Sequence, residues 1–266
     1  MNVVFVGRGR VGRGLLKLTR KAFPHWRLTS GHNPSRRMIG AADVVVLAVP
    51  DPFIAGTAMR IRPWIKQGAC VLHCAGSRTA EELGHCRNVG AHVGAMHPLA
   101  SFADPKRPPD LAGVTFVISG DAPAVKGGKR IARAVGARSL ALPVHGPKYH
   151  ALAAMIAGGT VGFVHTTIPV LEGMGFSRRD AEKAAASLVR TVADNIADIG
   201  LPAALTGPVI RGDAGTVAAH RKALRVLSPG VAAAYDAVAP LVLACAVSAG
   251  LEKTTAARIR RALRDT

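Results

Sequence analysis

The sequence predicts an α/β chain: a mostly parallel sheet with helical crossovers, followed by an all-helical C-terminal domain. Three observations predict it. From residue 2 to about 145, apolar β-rich runs alternate with helix-like stretches, the pattern of βαβ units. After His145 the strand pattern stops and only helix-length segments remain. No low-complexity linker or internal repeat separates the two parts, so the boundary is a change of architecture without a flexible tether, with domains expected at 1–147 and 148–266.

Strands are expected at 3–6, 26–30, 43–49, 69–74, 92–96, 114–119 and 139–143, with helical connections at 11–22, 52–65, 79–84 and 122–135. Only about a dozen residues separate the second strand from Asp43, too few for a full helix, strand and loop. One unit of the first half is therefore expected to be trimmed. Helices follow at 149–172, 178–199, 214–227, 230–248 and 254–263. Ser177-Arg178-Arg179-Asp180 reads as a capping box at the start of the second, and Gly200-Leu201-Pro202 ends it. Ser228-Pro229 places a cap and an N1 proline before the fourth. Alanine-rich faces such as Ala184-Ala185-Ala186 and Ala232-Ala233-Ala234 permit close helix packing.

The 266 residues are 49% hydrophobic, with a mean hydropathy of +0.24, which excludes a mainly disordered protein. Apolar runs are interrupted before the roughly 18 residues of a membrane span, so no transmembrane helix is expected. Met1 leads straight into a strand-like run with no basic leader, and a cytoplasmic protein is the expectation. Cys70, Cys74, Cys86 and Cys245 form no C-x-x-C and read as buried thiols; His73, Cys74, His85 and Cys86 lack the spacing of a structural zinc site, so no metal is expected. The net charge of +19 predicts attraction for phosphates and nucleotides. An aromatic content of 4% leaves almost no stacking platform, and no nucleic-acid signature appears, so a small molecule is the expected partner.

Directly after the first strand, Gly7, Gly9 and Gly12 fit G-x-G-x-x-G, between a strand and a helix, as a Rossmann-type dinucleotide site requires. Gly7 permits the tight turn, Gly9 lets backbone approach the pyrophosphate, and Gly12 lets the helix close on the strand. Amides around Arg8, Arg10 and Val11 then meet the phosphate charge. A glycine-rich turn without ligand is the competing reading.

An NAD site usually carries a carboxylate at the end of the second strand. Here the segment 28–37 reads LTSGHNPSRR and has none. Ser30, His32, Arg36 and Arg37, with Arg8 from the glycine loop, would instead hold a 2′-phosphate, so NADP is the expected coenzyme. Ordinary surface charge is the alternative for the two arginines. Further along, Ala48-Val49-Pro50-Asp51, Cys74-Ala75-Gly76-Ser77 and the segment His97 to Phe102 close the third, fourth and fifth strands, where such sheets bind ligands. Small residues there let a cofactor lie flat, and His97 and Ser101 can face a substrate. A histidine bonded to backbone is the other reading of His97.

Gly7 to Gly12, VVVLAVPD at 44–51, GAMHPLASF at 94–102, Tyr149-His150 and LTGPVIRGDAGTVAAHRKAL at 205–224 together resemble the Rossmann-like oxidoreductases that end in domain of unknown function 2520. The resemblance covers nearly the whole chain. It implies an NADP-binding domain followed by a helical domain similar to the C-terminal part of 6-phosphogluconate dehydrogenase. Relatives in that wider group include pyrroline-carboxylate, ketopantoate and imine reductases, which move hydride between nicotinamide and a C=O or C=N, commonly as dimers joined through their helical domains. In such relatives the first long helix of the second domain often presents Asn or Ser to the nicotinamide. The corresponding stretch here, ALAAMIAGGTVG at 151–162, offers only Thr160.

Hydride transfer asks the protein for placement and a proton source. Candidate proton donors are His150, His97, Tyr149 and Lys148, with His150 preferred because histidine titrates near neutrality and this one opens the long helix. A structural histidine is its alternative. Arg211, Asp213 and His220 are the candidates on the helical side: Arg211 holding a substrate carboxylate, or pairing with Asp213 to staple the loop. The expected function is an NADP-dependent oxidoreductase acting on a small ketone or imine, anionic in the version that uses Arg211. A non-catalytic NADP sensor is the alternative, kept by the missing polar residue.

Overall fold

The computed structural model describes residues 1–31 and 33–264, which divide into two compact units, Met1–Ala157 and Gly158–Thr266. The first unit runs β1 (Asn2–Val6), α1 (Arg10–Ala22), β2 (Arg27–Gly31), α2 (Arg36–Gly40), β3 (Val44–Leu47), α3 (Ile54–Ile61), β4 (Cys70–His73), α4 (Gly84–Arg87), β5 (His92–Pro98), β6 (Thr115–Gly120), α5 (Ala122–Ala134) and β7 (Arg138–Ala141). The strands form one sheet in the order β2-β1-β3-β4-β5-β6-β7. Its direction of growth reverses beside β1, the switch point at which such sheets open a crevice at their carboxyl edge.

Short helices mark where the expected elements give way. Pro52 and Pro63 confine the 52–65 stretch to α3 between two tight 3-10 turns, and most of 79–84 is likewise a 3-10 turn, Ala80–Leu83, before α4. The trimmed unit survives as the five residues of α2. The pairs β2–β1, β1–β3, β3–β4, β4–β5 and β6–β7 are parallel, and β5–β6 is antiparallel. No helix occupies 99–114, so that segment lacks the helical crossover that usually returns a chain parallel to itself. It is held down by Phe102 and Leu111, both buried; a Cβ on Gly14 of α1 would lie 2.9 Å from the Phe102 ring.

Two apolar layers cover the sheet. One gathers Val4, Val6, Val45, Leu47, Ile54, Ile61 and Leu83; the other gathers Phe5, Leu15, Val46, Leu72, Met96, Phe116 and Ile131. Each such side chain contributes about 1.5–3 kcal/mol when fully buried. The second layer brings α1 and α5 to the same face. On their solvent sides α1 exposes Arg10, Arg13, Lys17, Arg20 and Lys21, α5 exposes Lys126, Lys129, Arg130 and Arg133, and neither helix contains a carboxylate. Cys70 and Cys86 are buried free thiols, and burial pushes Cys86 up to about 11; Cys74 and Cys245 are free and half-buried.

The helix α6 (Pro147–Gly173) gives its first turns to this unit. The second unit continues with α7 (Arg178–Ile199), α8 (Ala214–Leu227), α9 (Pro229–Ser248) and α10 (Lys253–Ala262). Ser177 caps α7 as expected, its Oγ accepting from Asp180 N–H at 3.2 Å, while the Asp180 carboxylate accepts the Ser177 hydroxyl rather than reaching back to the main chain. Ser228 caps α9. Val209, Val217, Leu243, Ala246, Ala256 and Ile259 form the core of α8 to α10. Within it the buried Arg221 donates to Asp236 at 2.7 and 3.1 Å and to the Ala262 carbonyl at 3.3 Å, so its charge is paired where it is out of water. The alanine face of α7 does not pack as expected: Ala181 is its one buried residue. By length and composition, α6 and α9 are apolar enough to cross a membrane, with mean hydropathies of 1.5 and 1.8 over 18-residue windows, 6% and 28% of which are buried. Gly158, Gly159 and Gly162 break the apolar runs of α6 while its other residues keep the mean hydropathy high, which is why no span was expected from the runs alone.

Candidate active site

The glycine loop is shaped by close backbone approach. Gly7 has a φ of +108°, and a Cβ there would lie 2.3 Å from the Ala48 carbonyl oxygen; one on Gly12 would lie 2.8 Å from the Gly7 oxygen. The β1–α1 turn therefore sits directly against the end of β3, where Ala48, Val49 and Pro50 follow. Gly9 caps α1 without a side chain and has open space around it, the nearest atom to a built Cβ being 3.9 Å away. Arg8 and Arg10 are exposed, Val11 is half-buried, and the first turn of α1 has no acidic residue. This is a cradle a pyrophosphate fits: open amides at a positive helix end with no competing carboxylate.

Beyond β2, Ser35 caps α2 and both Arg36 and Arg37 are exposed there. His32 and the Ser30 side chain lie outside the described residues. The sequence reading missed Arg60. From α3 its guanidinium donates to Asn33 Oδ1 at 2.8 Å, and the two border a hollow of about 440 Å³ with Val49, Pro50, Phe53 and Thr57. Arg60 is 27 residues from Asn33, which lies in the bend between β2 and α2, so no local pattern exposes the pairing.

A second group forms where β5 continues past the end of β4, whose His73 stands opposite Ala95. The overhang carries His97, whose Nδ1 lies 2.9 Å from the Tyr149 hydroxyl at the start of α6. The His150 ring lies 5.9 Å from that of His97. Gly76 must be glycine, because a Cβ there would meet the His97 ring at 2.8 Å. Burial, with His150 alongside, pushes His97 down to about 4, and burial raises Tyr149. His97 and His150 line a cavity of about 430 Å³ with Leu99, Ser101, Ala153 and Ala154. Lys148 is exposed and does not line it.

Further residues support this group through contacts that the sequence reading did not foresee. His145 is buried; its Nδ1 lies 2.8 Å from Ser119 Oγ, its ring 5.6 Å from that of Tyr149, and its Nε2 has no partner among the described residues. Burial pushes it, too, down to about 4. His73 accepts from Ala75 N–H on Nδ1 at 3.2 Å, so its Nε2–H donates to the Thr79 carbonyl at 2.9 Å: it is a structural, neutral imidazole. Asp51 accepts from the Ser77 hydroxyl across the ends of β3 and β4. The partners of His145 and Asp51 are each 26 residues away in sequence, so no local pattern exposes those two contacts.

The remaining candidates belong to the second unit. Thr160 and Arg211 are exposed. Asp213 caps α8, accepting from Thr216 N–H at 2.9 Å and from the Thr216 hydroxyl at 2.6 Å. The loop is therefore stapled by this cap and not by an Arg211–Asp213 pair, and the Asp213 carboxylate is committed. His220 is exposed, its ring 6.2 Å from Tyr235, at a hollow of about 220 Å³ with Thr206 and Pro208.

Residues 114–241 match the family model described as domain of unknown function DUF2520. That segment runs from β6 into α9, so the domain expected from the motifs is present. Among solved structures, protein TM1727 from Thermotoga maritima superposes with a TM-score of 0.68 at 23% identity, covering 92% of this chain and 98% of that one. A pyrroline-5-carboxylate reductase from Coxiella burnetii gives 0.58 at 16% identity, covering 99% and 96%. Pyrroline carboxylate reductase from Plasmodium falciparum, with NADP bound, gives 0.57 at 13% identity, again covering 99% and 96%. These likenesses establish the fold, a Rossmann-type sheet domain followed by helices. No curated protein matches by sequence.

Proposed function

We propose that this DUF2520 chain is an NADP-dependent oxidoreductase that transfers hydride between the nicotinamide and a small ketone or imine. The observation that carries the reading is the His97–Tyr149 hydrogen bond beside His150, over a cavity at the carboxyl edge of a sheet whose glycine loop fits a pyrophosphate. The pyrroline carboxylate reductases of the same fold, one with NADP bound, support it.

Gly7, Gly9 and Gly12, with Arg8, Arg10 and Val11, hold the diphosphate; Ser30, His32, Arg36 and Arg37 serve the 2′-phosphate; Ala48, Val49, Pro50 and Gly76 leave a flat wall. NADPH, when bound, supplies hydride to the acceptor carbon and leaves as NADP⁺, while the acceptor oxygen or nitrogen gains a proton. His97 is uncharged at neutral pH, so its part is to hold that oxygen or nitrogen by a hydrogen bond, with Tyr149 fixing the ring. His150, at the cavity, delivers the proton. Ser101 lines the same cavity as a further hydrogen-bonding group.

We also propose a homodimer through the helical unit. Leu188, Val192, Ile196 and Ile199 form one stripe of α7, exposed by 67%, 47%, 43% and 61%. A helix with an uncovered apolar stripe gains most of its stability from a partner.

A non-catalytic NADP sensor is the second reading, favoured by the alanine wall of α6, where Ala153, Ala154 and Ala157 stand at the cavity. NADPH oxidation with a panel of ketones and cyclic imines separates the two, the sensor binding coenzyme without turnover. Calorimetry with no saturation by NADPH or NADH would remove both.

A further inference from the structure

We infer that Ser77 and Asp51 are positioning residues for His97: their hydrogen bond fixes the turn at 74–77 against which the His97 ring rests. The effect on turnover rests on the reductase reading above, whereas the placement of the ring does not.

His97 meets the protein on two sides. A Cβ built on the buried Gly76 would lie 2.8 Å from Cε1 and Nδ1 of the imidazole and 3.0 Å from Nε2, so the ring covers the main chain of that turn. The Tyr149 hydroxyl stands 2.9 Å from Nδ1, which leaves Nε2 as the nitrogen that makes no hydrogen bond among the described residues and can serve an acceptor. Where Nε2 points is therefore set by the turn beneath the ring and by Tyr149.

The turn is pinned along its length. Cys74 N–H donates to the Leu47 carbonyl at 3.1 Å, Ala75 N–H to His73 Nδ1 at 3.2 Å, and the Gly76 carbonyl accepts from Gly146 N–H at 3.0 Å. At Ser77 the tie is the side chain, whose hydroxyl donates to the Asp51 carboxylate just past β3. Asp51 is half-buried, and among the described residues no lysine, arginine or histidine forms an ion pair with it. Its place at the start of the Asp51–Phe53 turn accounts for a negative charge there, but not for the reach to Ser77. Removing the hydroxyl frees that end of the turn and lets the ring tilt on Gly76. Misplacing a reacting contact by about 1 Å can cost on the order of 100-fold in rate.

The test uses the full-length protein with NADPH and the best acceptor from the panel of ketones and imines, beside NMR of its ring-labelled histidines. Ser77→Ala is expected to lower kcat about tenfold with KM for NADPH unchanged and to shift the His97 ring resonance, whereas Ser77→Thr, which keeps the hydroxyl, restores both. Asp51→Ala, which removes the acceptor instead of the donor, is expected to match Ser77→Ala in both readings. Ser77→Ala with Tyr149→Phe is expected to lose less than the product of the two single losses, since both act through one ring. A wild-type kcat with an unmoved His97 resonance in Ser77→Ala, or losses that multiply, overturns the inference and leaves the reductase reading standing. A wild type that binds NADPH and turns over no acceptor overturns that reading alone; a moved His97 resonance then supports the positioning and an unmoved one overturns it.

Discussion

The Tyr149 hydroxyl stands 2.9 Å from His97 Nδ1 and ties the start of α6 to the overhanging end of β5. Tyr149→Phe keeps the ring and removes that bond. It is expected to lower kcat by about 10- to 100-fold with NADPH affinity unchanged, as the loss of an orienting partner does. His150→Ala is expected to cost about 100-fold or more in kcat, the size of a lost proton donor. Steady-state kinetics check both, and unchanged turnover in His150→Ala would discard that residue as the donor.

Gly7 and Gly9 separate folding from binding. Gly7→Ala forces a Cβ to within 2.3 Å of the Ala48 oxygen at a φ of +108°, so it is expected to lower Tm and abolish coenzyme binding together. Gly9→Ala meets nothing nearer than 3.9 Å and should fold normally, yet weaken NADPH binding, because its methyl occupies the approach to the amides. Thermal melts beside calorimetry give both readings. A Gly9→Ala protein that binds NADPH as the wild type does would move the diphosphate away from this turn.

Coenzyme choice rests on guanidinium groups. Arg36→Ala with Arg37→Ala is expected to weaken NADPH binding by about 10- to 100-fold and leave NADH unaffected, the size of one lost charged hydrogen bond at roughly 1.5–3 kcal/mol. Arg60→Ala also removes the 2.8 Å tie to Asn33 and should add to the loss. Equal affinity for the two coenzymes in the wild type would remove the 2′-phosphate assignment.

Burial holds His97 and His145 down to about 4, below the roughly 6.5 of an unfolded histidine. Between those values the unfolded chain binds more protons than the folded one. Stability is therefore complete above about pH 6.5 and declines as the pH falls toward 4, by at most on the order of 3 kcal/mol for each histidine, solvent screening lowering that figure. Tm measured from pH 7.5 down to 4.5 checks this; His145→Leu, which removes the orphaned Nε2 with its charge, should flatten the slope.

The stripe on α7 predicts an assembly. The wild type is expected to sediment as a dimer, and Leu188→Glu with Val192→Glu as a monomer with an intact circular-dichroism helix signal. A monomeric wild type would contradict the assignment.

Most of the scaffold was legible because periodicity and punctuation act locally. Ser177 and Ser228 place the starts of α7 and α9, and the glycines at 7, 9 and 12 place the turn between β1 and α1. What local pattern does not encode is a meeting of distant segments. Arg60 with Asn33, His145 with Ser119 and Asp51 with Ser77 each join residues 26 or 27 positions apart on different elements or loops. The antiparallel β6 was hidden for the same reason, since pairing direction follows from what fills the space between β5 and β6. His97 and Tyr149 could be singled out one at a time, but not as partners.

The outer surfaces of α1 and α5 leave Arg10, Arg13, Lys17, Arg20, Lys126, Lys129, Arg130 and Arg133 facing water with no acid on either helix to answer them. A phosphate-bearing molecule approaching that side moves downhill in potential before it touches anything. How quickly such a molecule arrives then depends on ionic strength, whereas how long it stays depends on the short-range grip of the turn.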